Sequence, residues 1–425
     1  LTEAGQEAGL PSVQFLDWRR DADPDQDGRT DPSDHASEAP TMSIAAAIKS
    51  DSHDRKSAVE IARELGPIFA RRAAETADED RFVAENFAML KSSGLVEAGV
   101  PAELGGGGAD VDELSLMLRT LARHCGSTAL AFSMHTHQVA IPAWRWTHQK
   151  ATPVEPLLKR IAGERLLLLS SGGSDWIAGS GKAEKVEGGY RIDARKAFTS
   201  GAPAGNLFMT GAVLETPEGP MVLHFGVPMN SPHVKVLDTW RTLGMRGTGS
   251  HDVLIEGHVV PEAAVSVRRK AGEWHPLFQI IATIAFPLVY SVYVGVAESA
   301  RDLAVELVKR KRPARHTIDL AGRMDTELAG ARLALDSMLA AVRLNAPSAA
   351  SVNQVMIGKA LATRHALAAV ELAMEVAGGV GFYRSAGLER KFRDIQAARY
   401  HPLQSGPQAE YAGALALGLP VERIF

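Results

Sequence analysis

The sequence predicts an α+β fold in three consecutive parts, helical, then β, then helical, and three observations predict it. Apolar residues recur every three to four positions from about Ser43 to Gln149 and again after about Trp274. Between about Leu166 and Val267 the pattern changes to short alternating runs punctuated by Gly, Asn and Pro. With 425 residues, 45% of them hydrophobic, the chain can bury a substantial core in two or three packed domains. Residues 1–41 read as a disordered acidic tail, 42–160 as an N-terminal helical domain, 161–270 as a central β domain, and 271–425 as a C-terminal helical bundle.

The tail is rich in aspartate and proline, and the chain begins with Leu, which makes Met42 a candidate start. Asp23, Asp25, Asp27, Gly28, Asp31 and Asp34 approach the spacing of an EF-hand loop. Pro24, Pro32 and the lack of a preceding amphipathic helix favour a solvated acidic segment instead. In the first helical part, "AVEIARELGPIFARRAAE" and "VDELSLMLRTLARHC" carry the helical period, and the loop "VPAELGGGGAD" separates two helices. The β part holds "YRIDARKAFTS", "NLFMTGAVL", "MVLHFGVP", "HVKVLDTW" and "HDVLIEGHVV". The long apolar run Ile280 to Ala297 contains Pro287 and reads as a buried core helix, since a membrane span needs about 20 uninterrupted apolar residues.

Composition excludes several functions. A net charge of −4 argues against nucleic-acid binding, which needs clustered positive charge. The single cysteine, Cys125, excludes an intramolecular disulfide framework and a multi-cysteine metal site, and suits a reducing cytoplasmic setting. No basic start followed by an apolar core is visible, so neither a signal peptide nor a membrane association is expected. His135 and His137, at i and i+2, fall on different faces of a helix, so no metal site is expected there.

Three segments carry chemistry. "EVAGGVGFYRSAGLERKFRDIQAARYHPL", Glu375 to Leu403, places Gly378, Gly379 and Gly381 between helical stretches, where missing side chains let a backbone approach a flat or phosphorylated ligand. "SSGGSDWIAGSGKAEKVEGGYRIDARKAFTSGAPAGN" runs from Ser170 to Asn206, and "DTWRTLGMRGTGSHDVLIEGHVVPE" from Asp238 to Glu262. Together, in this order, and with the glycine loop of the first helical part, they resemble the acyl-CoA dehydrogenase superfamily across nearly all residues after Met42.

The resemblance implies the acyl-CoA dehydrogenase fold: an N-terminal helical domain, a central β-barrel-like domain and a C-terminal four-helix bundle, assembled as a homotetramer. It implies a flavin, FAD or FMN, between the β domain and the C-terminal bundle. By matching the family's motifs, Ser171, Gly173, Ser174, Phe198, Thr199, Ser200, Arg246, Thr248, Gly378, Gly379 and Gly381 become candidate flavin-binding residues. Ser200 takes the place of the hydroxyl near flavin N5. Arg310, in the basic run Lys309 to Arg312, is a candidate for a flavin phosphate, where the family's "R-K-x-F-G" motif is missing.

The departures bear on function. The family's catalytic glutamate would fall at Pro402, and its alternative location falls at Ala285. Neither residue can take a proton. What the chain offers instead is His401, beside the vacant position, with His135 and His137 in "FSMHTHQ" of the first helical part. This pattern is similar to the flavin-dependent monooxygenase branch, which includes dibenzothiophene monooxygenase, hydroxyphenylacetate hydroxylase oxygenase components and nitrososynthases. Those enzymes take reduced flavin from a separate reductase, and an imidazole titrating near neutral pH suits their acid/base needs. The expected function is therefore oxygenation of a small organic substrate by O2 activated on reduced flavin, with His401, His135, His137 and Ser200 as catalytic candidates. An FAD-dependent acyl-CoA dehydrogenase with another base is the alternative, and a catalytically silent flavin-binding scaffold is a third reading.

Overall fold

The computed structural model describes residues 56–76, 81–172, 175, 177–309 and 313–421, in the helical, β and helical order that the periodicity predicts. The acidic segment with its aspartate cluster, and Gly173, Ser174 and Arg310, lie outside the described residues.

Helices α1 (Ala58–Glu75), α2 (Ala84–Ser92), α3 (Val111–His124), α4 (Gly126–Gln149) and α5 (Glu155–Glu164) form the first part. Ser57 starts α1 through a capping box: its hydroxyl accepts from the Glu60 N–H, and the Glu60 carboxylate accepts from the Ser57 N–H. Asp110 starts α3 by accepting from the Glu113 N–H. In the glycine loop before α3, a Cβ on Gly107 would stand 2.7 Å from the Ala98 carbonyl oxygen, so the loop folds back on itself only with glycine there.

The strands are β1 (Leu168–Ser170), β2 (Lys182–Val186), β3 (Gly189–Thr199), β4 (Leu207–Leu214), β5 (Met221–Pro228), β6 (Val234–Val236), β7 (His251–Pro261) and β8 (Val267–Lys270). They form one mixed sheet, ordered β6-β7-β3-β2-β4-β5-β8, with β1 parallel to β4. Ile192, Phe208, Phe225 and Val253 fill its core. Among the described strands nothing pairs β6 with β8, so the barrel-like sheet stays open.

The last part contains α6 (Leu277–Lys309), α7 (Arg315–Arg343), α8 (Ala349–Ala377), α9 (Leu388–Ile395) and α10 (Ser405–Ala416). Helix α6 is long and apolar enough to cross a membrane, yet it is buried within the protein. A helix that is apolar all round must be covered all round, and here α3 and α4 cover it on one side and α7 and α8 on another. Leu121 and Ala129 from the first part share one core with Tyr290, Val294 and Leu335 from the last. The expected four-helix bundle consists of three long helices, with the short α10 packed on α8. Asp394 of α9 ties this part to the sheet-borne segment 238–250 by accepting from the Met245 N–H at 2.6 Å. Beside it a Cβ on Gly244 would stand 2.0 Å from the Arg393 carbonyl oxygen.

Candidate active site

Where the end of β3 approaches α4, α6 and the segment after α9, the fold encloses a cavity of about 1130 Å³. Met134, Ile141, Leu157, Ile281 and Val289 give it a largely apolar wall. Gln138, Arg145, Arg269 and Arg393 also line it, and two sets of hydrogen-bonded groups stand in the wall, one on the β side and one on the helical side.

On the β side, Phe198 near the end of β3 and Ser200 just after it line the cavity. The Phe198 ring lies against Trp240, with centroids 5.0 Å apart. Ser200 Oγ is 2.8 Å from Ser250 Oγ, Ser250 Oγ is 2.7 Å from Thr248 Oγ1, and Thr248 Oγ1 donates to the Met245 carbonyl oxygen at 2.9 Å. Beneath this row Lys196 is buried and ion-paired to Asp175 at 3.0 Å, and also donates to Ser180 and the Gly211 carbonyl oxygen. Burial pushes the Lys196 ammonium below its usual range, and the Asp175 carboxylate partly restores it.

On the helical side, His401 Nε2 and Tyr293 Oη are hydrogen-bonded at 2.5 Å. Tyr290 packs edge-on to the same imidazole and donates to the Ala398 carbonyl oxygen. The buried ammonium of Lys359 donates to the Leu403 carbonyl oxygen at 2.8 Å and so holds the turn that carries His401. Burial brings Lys359 down to about 8. His137 also lines the cavity. Its Nδ1–H donates to the Ser133 carbonyl oxygen at 3.0 Å, which leaves Nε2 as the acceptor on that side chain. Burial lowers His137 to about 4 and His401 to about 3, so both are neutral imidazoles at neutral pH. That corrects the expectation of a group titrating near neutrality.

Several sequence-predicted residues stand elsewhere. His135 does not reach the cavity: its Nε2–H donates to the Val96 carbonyl oxygen at 2.8 Å, and its Nδ1 accepts from the Leu168 N–H at 2.9 Å. Both ring nitrogens are consumed in joining β1 to the first helical part. Thr199, the last residue of β3, is fully buried and does not line the cavity. Arg246 lines a separate small pocket at the start of α4 and donates to the Thr242 carbonyl oxygen at 3.0 Å. Gly378 and Gly379 are exposed, away from the cavity, and Gly381 is a packing glycine whose Cβ would meet Ala377 at 2.9 Å. Ser171, Phe198, Ser200, Thr248, His137 and His401 do converge on the cavity.

Tyr293 was not singled out for a role by motif. Tyr293 follows Ala285 and Val289 at steps of four on α6, so all three share a helix face, and all three line the cavity. Ala285 and Pro402, the two positions where a carboxylate base was expected, also line it. Among the described residues the one carboxylate in the wall is Asp175, already paired with Lys196.

The residues fit a flavin. A Cβ on Gly172 would crowd the Ala197 carbonyl and the Phe198 peptide nitrogen at 3.1 Å, so the wall there is bare backbone. Next to it stand an aromatic pair and a row of hydroxyls, in a space large enough for a tricyclic ring and a small substrate. Fold and site together define a flavin-dependent oxidoreductase. The acyl-CoA dehydrogenase N-terminal domain model matches residues 55–159 and the C-terminal domain model residues 288–405. The chain belongs to the acyl-CoA dehydrogenase superfamily. It is 27% identical over 369 residues to an amino sugar nitrososynthase of Streptomyces peucetius, covering 81% of this chain and 90% of that one. To a pigment production hydroxylase of a Rhodococcus species it is 28% identical over 381 residues, covering 84% and 95%. The structure of KijD3 in complex with FMN and dTDP-3-amino-2,3,6-trideoxy-4-keto-3-methyl-D-glucose superposes with a TM-score of 0.78 at 26% identity, covering 86% of this chain and 95% of that one.

Proposed function

We propose that the protein binds reduced flavin, read as FMN, and uses O2 to oxygenate a small, uncharged, largely apolar substrate. One observation carries this reading: both positions expected to hold the base for α-proton abstraction face the cavity as Ala285 and Pro402, while His137, His401 and Tyr293 stand around them. A dehydrogenase needs a carboxylate there, and the remaining one in the wall is engaged by Lys196. Reduced flavin supplies two electrons, with which one oxygen atom of O2 goes to the substrate and the other leaves as water. Phe198 and Trp240 would lie against the ring, with Ser171, Ser200 and Thr248 at its polar edge. His137 Nε2 accepts a hydrogen bond from a substrate O–H or N–H, and the His401–Tyr293 pair holds a proton next to the reacting atoms. The apolar wall excludes water, which limits wasteful collapse to hydrogen peroxide.

This reading includes a separate flavin reductase as partner, a cytoplasmic setting, and a homotetramer. Val380, Phe382 and Tyr383 beside the glycine cluster are 54%, 83% and 69% exposed, an apolar patch suited to a second subunit.

The test is stopped-flow mixing of the protein and anaerobically reduced FMN with oxygenated buffer. A transient spectrum distinct from both reduced and oxidised flavin, absent without protein, is the expected result. Direct return of oxidised flavin, together with anaerobic bleaching of the FAD-loaded protein by an acyl-CoA, would overturn the oxygenase reading in favour of a dehydrogenase.

A further inference from the structure

We propose that Ser200, Ser250 and Thr248 form a directed row of hydroxyls that makes the cavity-facing oxygen of Ser200 an acceptor, and that this row sets a preference for reduced over oxidised flavin. The inference rests on the flavin reading given above and assigns Ser250 and Thr248 a positioning role exerted through Ser200.

The direction follows from counting protons. A carbonyl oxygen only accepts, so the single hydroxyl proton of Thr248 lies toward Met245, 2.9 Å away. Ser250 Oγ, 2.7 Å from Thr248 Oγ1, must then be the donor in that contact. With its own proton spent, Ser250 can only accept from Ser200, 2.8 Å away. Ser200, Ser250 and Thr248 are 8%, 2% and 0% exposed, so bulk water does not compete for these protons. Reversing the row would set a lone pair of Thr248 against the Met245 carbonyl oxygen with no proton between them. Ser200 is thus left with lone pairs for whatever occupies the cavity.

The two oxidation states of the isoalloxazine differ at its central ring nitrogen, beside which the family resemblance would put Ser200, a residue of the cavity wall. Reduced, that nitrogen carries N–H and matches an acceptor. Oxidised, it presents a lone pair and is opposed by one. A matched hydrogen bond against a mismatched one changes the affinity ratio by about 3- to 10-fold.

The experiment is equilibrium binding of oxidised FMN, by fluorescence quenching, and of reduced FMN, anaerobically, to wild type and to Ser250→Ala, Thr248→Val and Thr248→Ser. Wild type is expected to favour reduced FMN. Ser250→Ala frees the Ser200 proton to turn into the cavity, so affinity for oxidised FMN rises and the ratio falls by about 3- to 10-fold. A tenfold fall lowers the two-electron potential of bound FMN by about 30 mV. Thr248→Val acts in the same direction, while Thr248→Ser keeps the row and the wild-type ratio. A ratio unmoved by both Ser250→Ala and Thr248→Val overturns the directed row and leaves the flavin site standing. Wild type that binds neither form of FMN overturns the flavin reading and the row with it.

Discussion

Tyr293 and His401 lie 108 residues apart in the chain and meet at the cavity wall through a hydrogen bond between the phenol oxygen and Nε2. Burial raises the phenol well above its usual range and depresses the imidazole, so the two share one neutral proton network throughout the physiological range. The pair lines the same cavity as Ala285 and Pro402, the two positions where a carboxylate was expected.

Removing His401 should separate flavin oxidation from product formation. For His401→Ala the product formed per flavin oxidised is expected to fall by about 10²-fold, a typical acid/base contribution, with the fold and FMN binding retained. Tyr293→Phe should lose less, about tenfold, because the imidazole stays. Product yield against hydrogen peroxide release measures both, and unchanged coupling in His401→Ala would remove His401 from the mechanism.

His135→Ala should behave as a stability variant. It strips partners from the Val96 carbonyl and the Leu168 N–H, each worth about 1–3 kcal/mol when left buried. The denaturant midpoint should drop while reduced-FMN affinity holds; the opposite pattern would return His135 to the active site.

Acid should destabilise the protein in a definable window. His135 and His137 sit near 4 in the folded chain, against an ordinary value of 6.5, because burial disfavours their charged form. Between those values the unfolded chain binds protons that the folded one does not. Stability from these groups is therefore complete above pH 6.5 and is lost as pH falls toward 4, at up to about 1.4 kcal/mol per pH unit for each histidine. Urea unfolding at pH 7.5 and pH 5 measures the difference, and equal stability at the two would contradict the buried neutral assignment.

Lys196→Met should be among the most damaging single changes, at about 3–5 kcal/mol, because it leaves the Asp175 carboxylate buried without its cation. Pairing it with Asp175→Leu should recover much of the loss. A double-mutant cycle by calorimetry checks the coupling, and additive losses would mean that Lys196 and Asp175 are not energetically coupled.

The three-part fold was legible because helix and strand periods differ and each persists over many residues. The site was legible only where one local segment carries its own geometry. Phe198 and Ser200 lie two residues apart where β3 ends, and Thr248 lies in a recognisable turn. For His135 and His137, the i, i+2 spacing says that the two point apart, but not which one faces the cavity; that depends on where β1 presents the Leu168 N–H. The glycines at 378, 379 and 381 do not line the cavity. Absence of a side chain shows that a backbone can be approached, not by what, and here α8 and α9 account for Gly381 while the other two face outward. Contacts such as Tyr293 with His401, or Ser200 with Ser250, depend on tertiary closure and leave no local trace.

Met245 engages both sides of the molecule through its own backbone: its N–H is held by Asp394 of α9, while its carbonyl oxygen anchors Thr248 and also receives the Trp240 indole N–H. A left-handed φ of 52° lets one residue serve both directions. On the proposed directed row, the potential of a bound ring would thereby depend on Asp394 of α9, a residue that does not itself line the cavity. Asp394→Ala, which alters no atom of the cavity wall, should shift the potential of bound FMN in the same direction as Ser250→Ala. Redox titration of the two variants side by side is the check, and a wild-type potential in Asp394→Ala would show that the row does not depend on Asp394. Evolution, or an engineer, would then tune this flavin from α9 without disturbing the surfaces that choose the substrate.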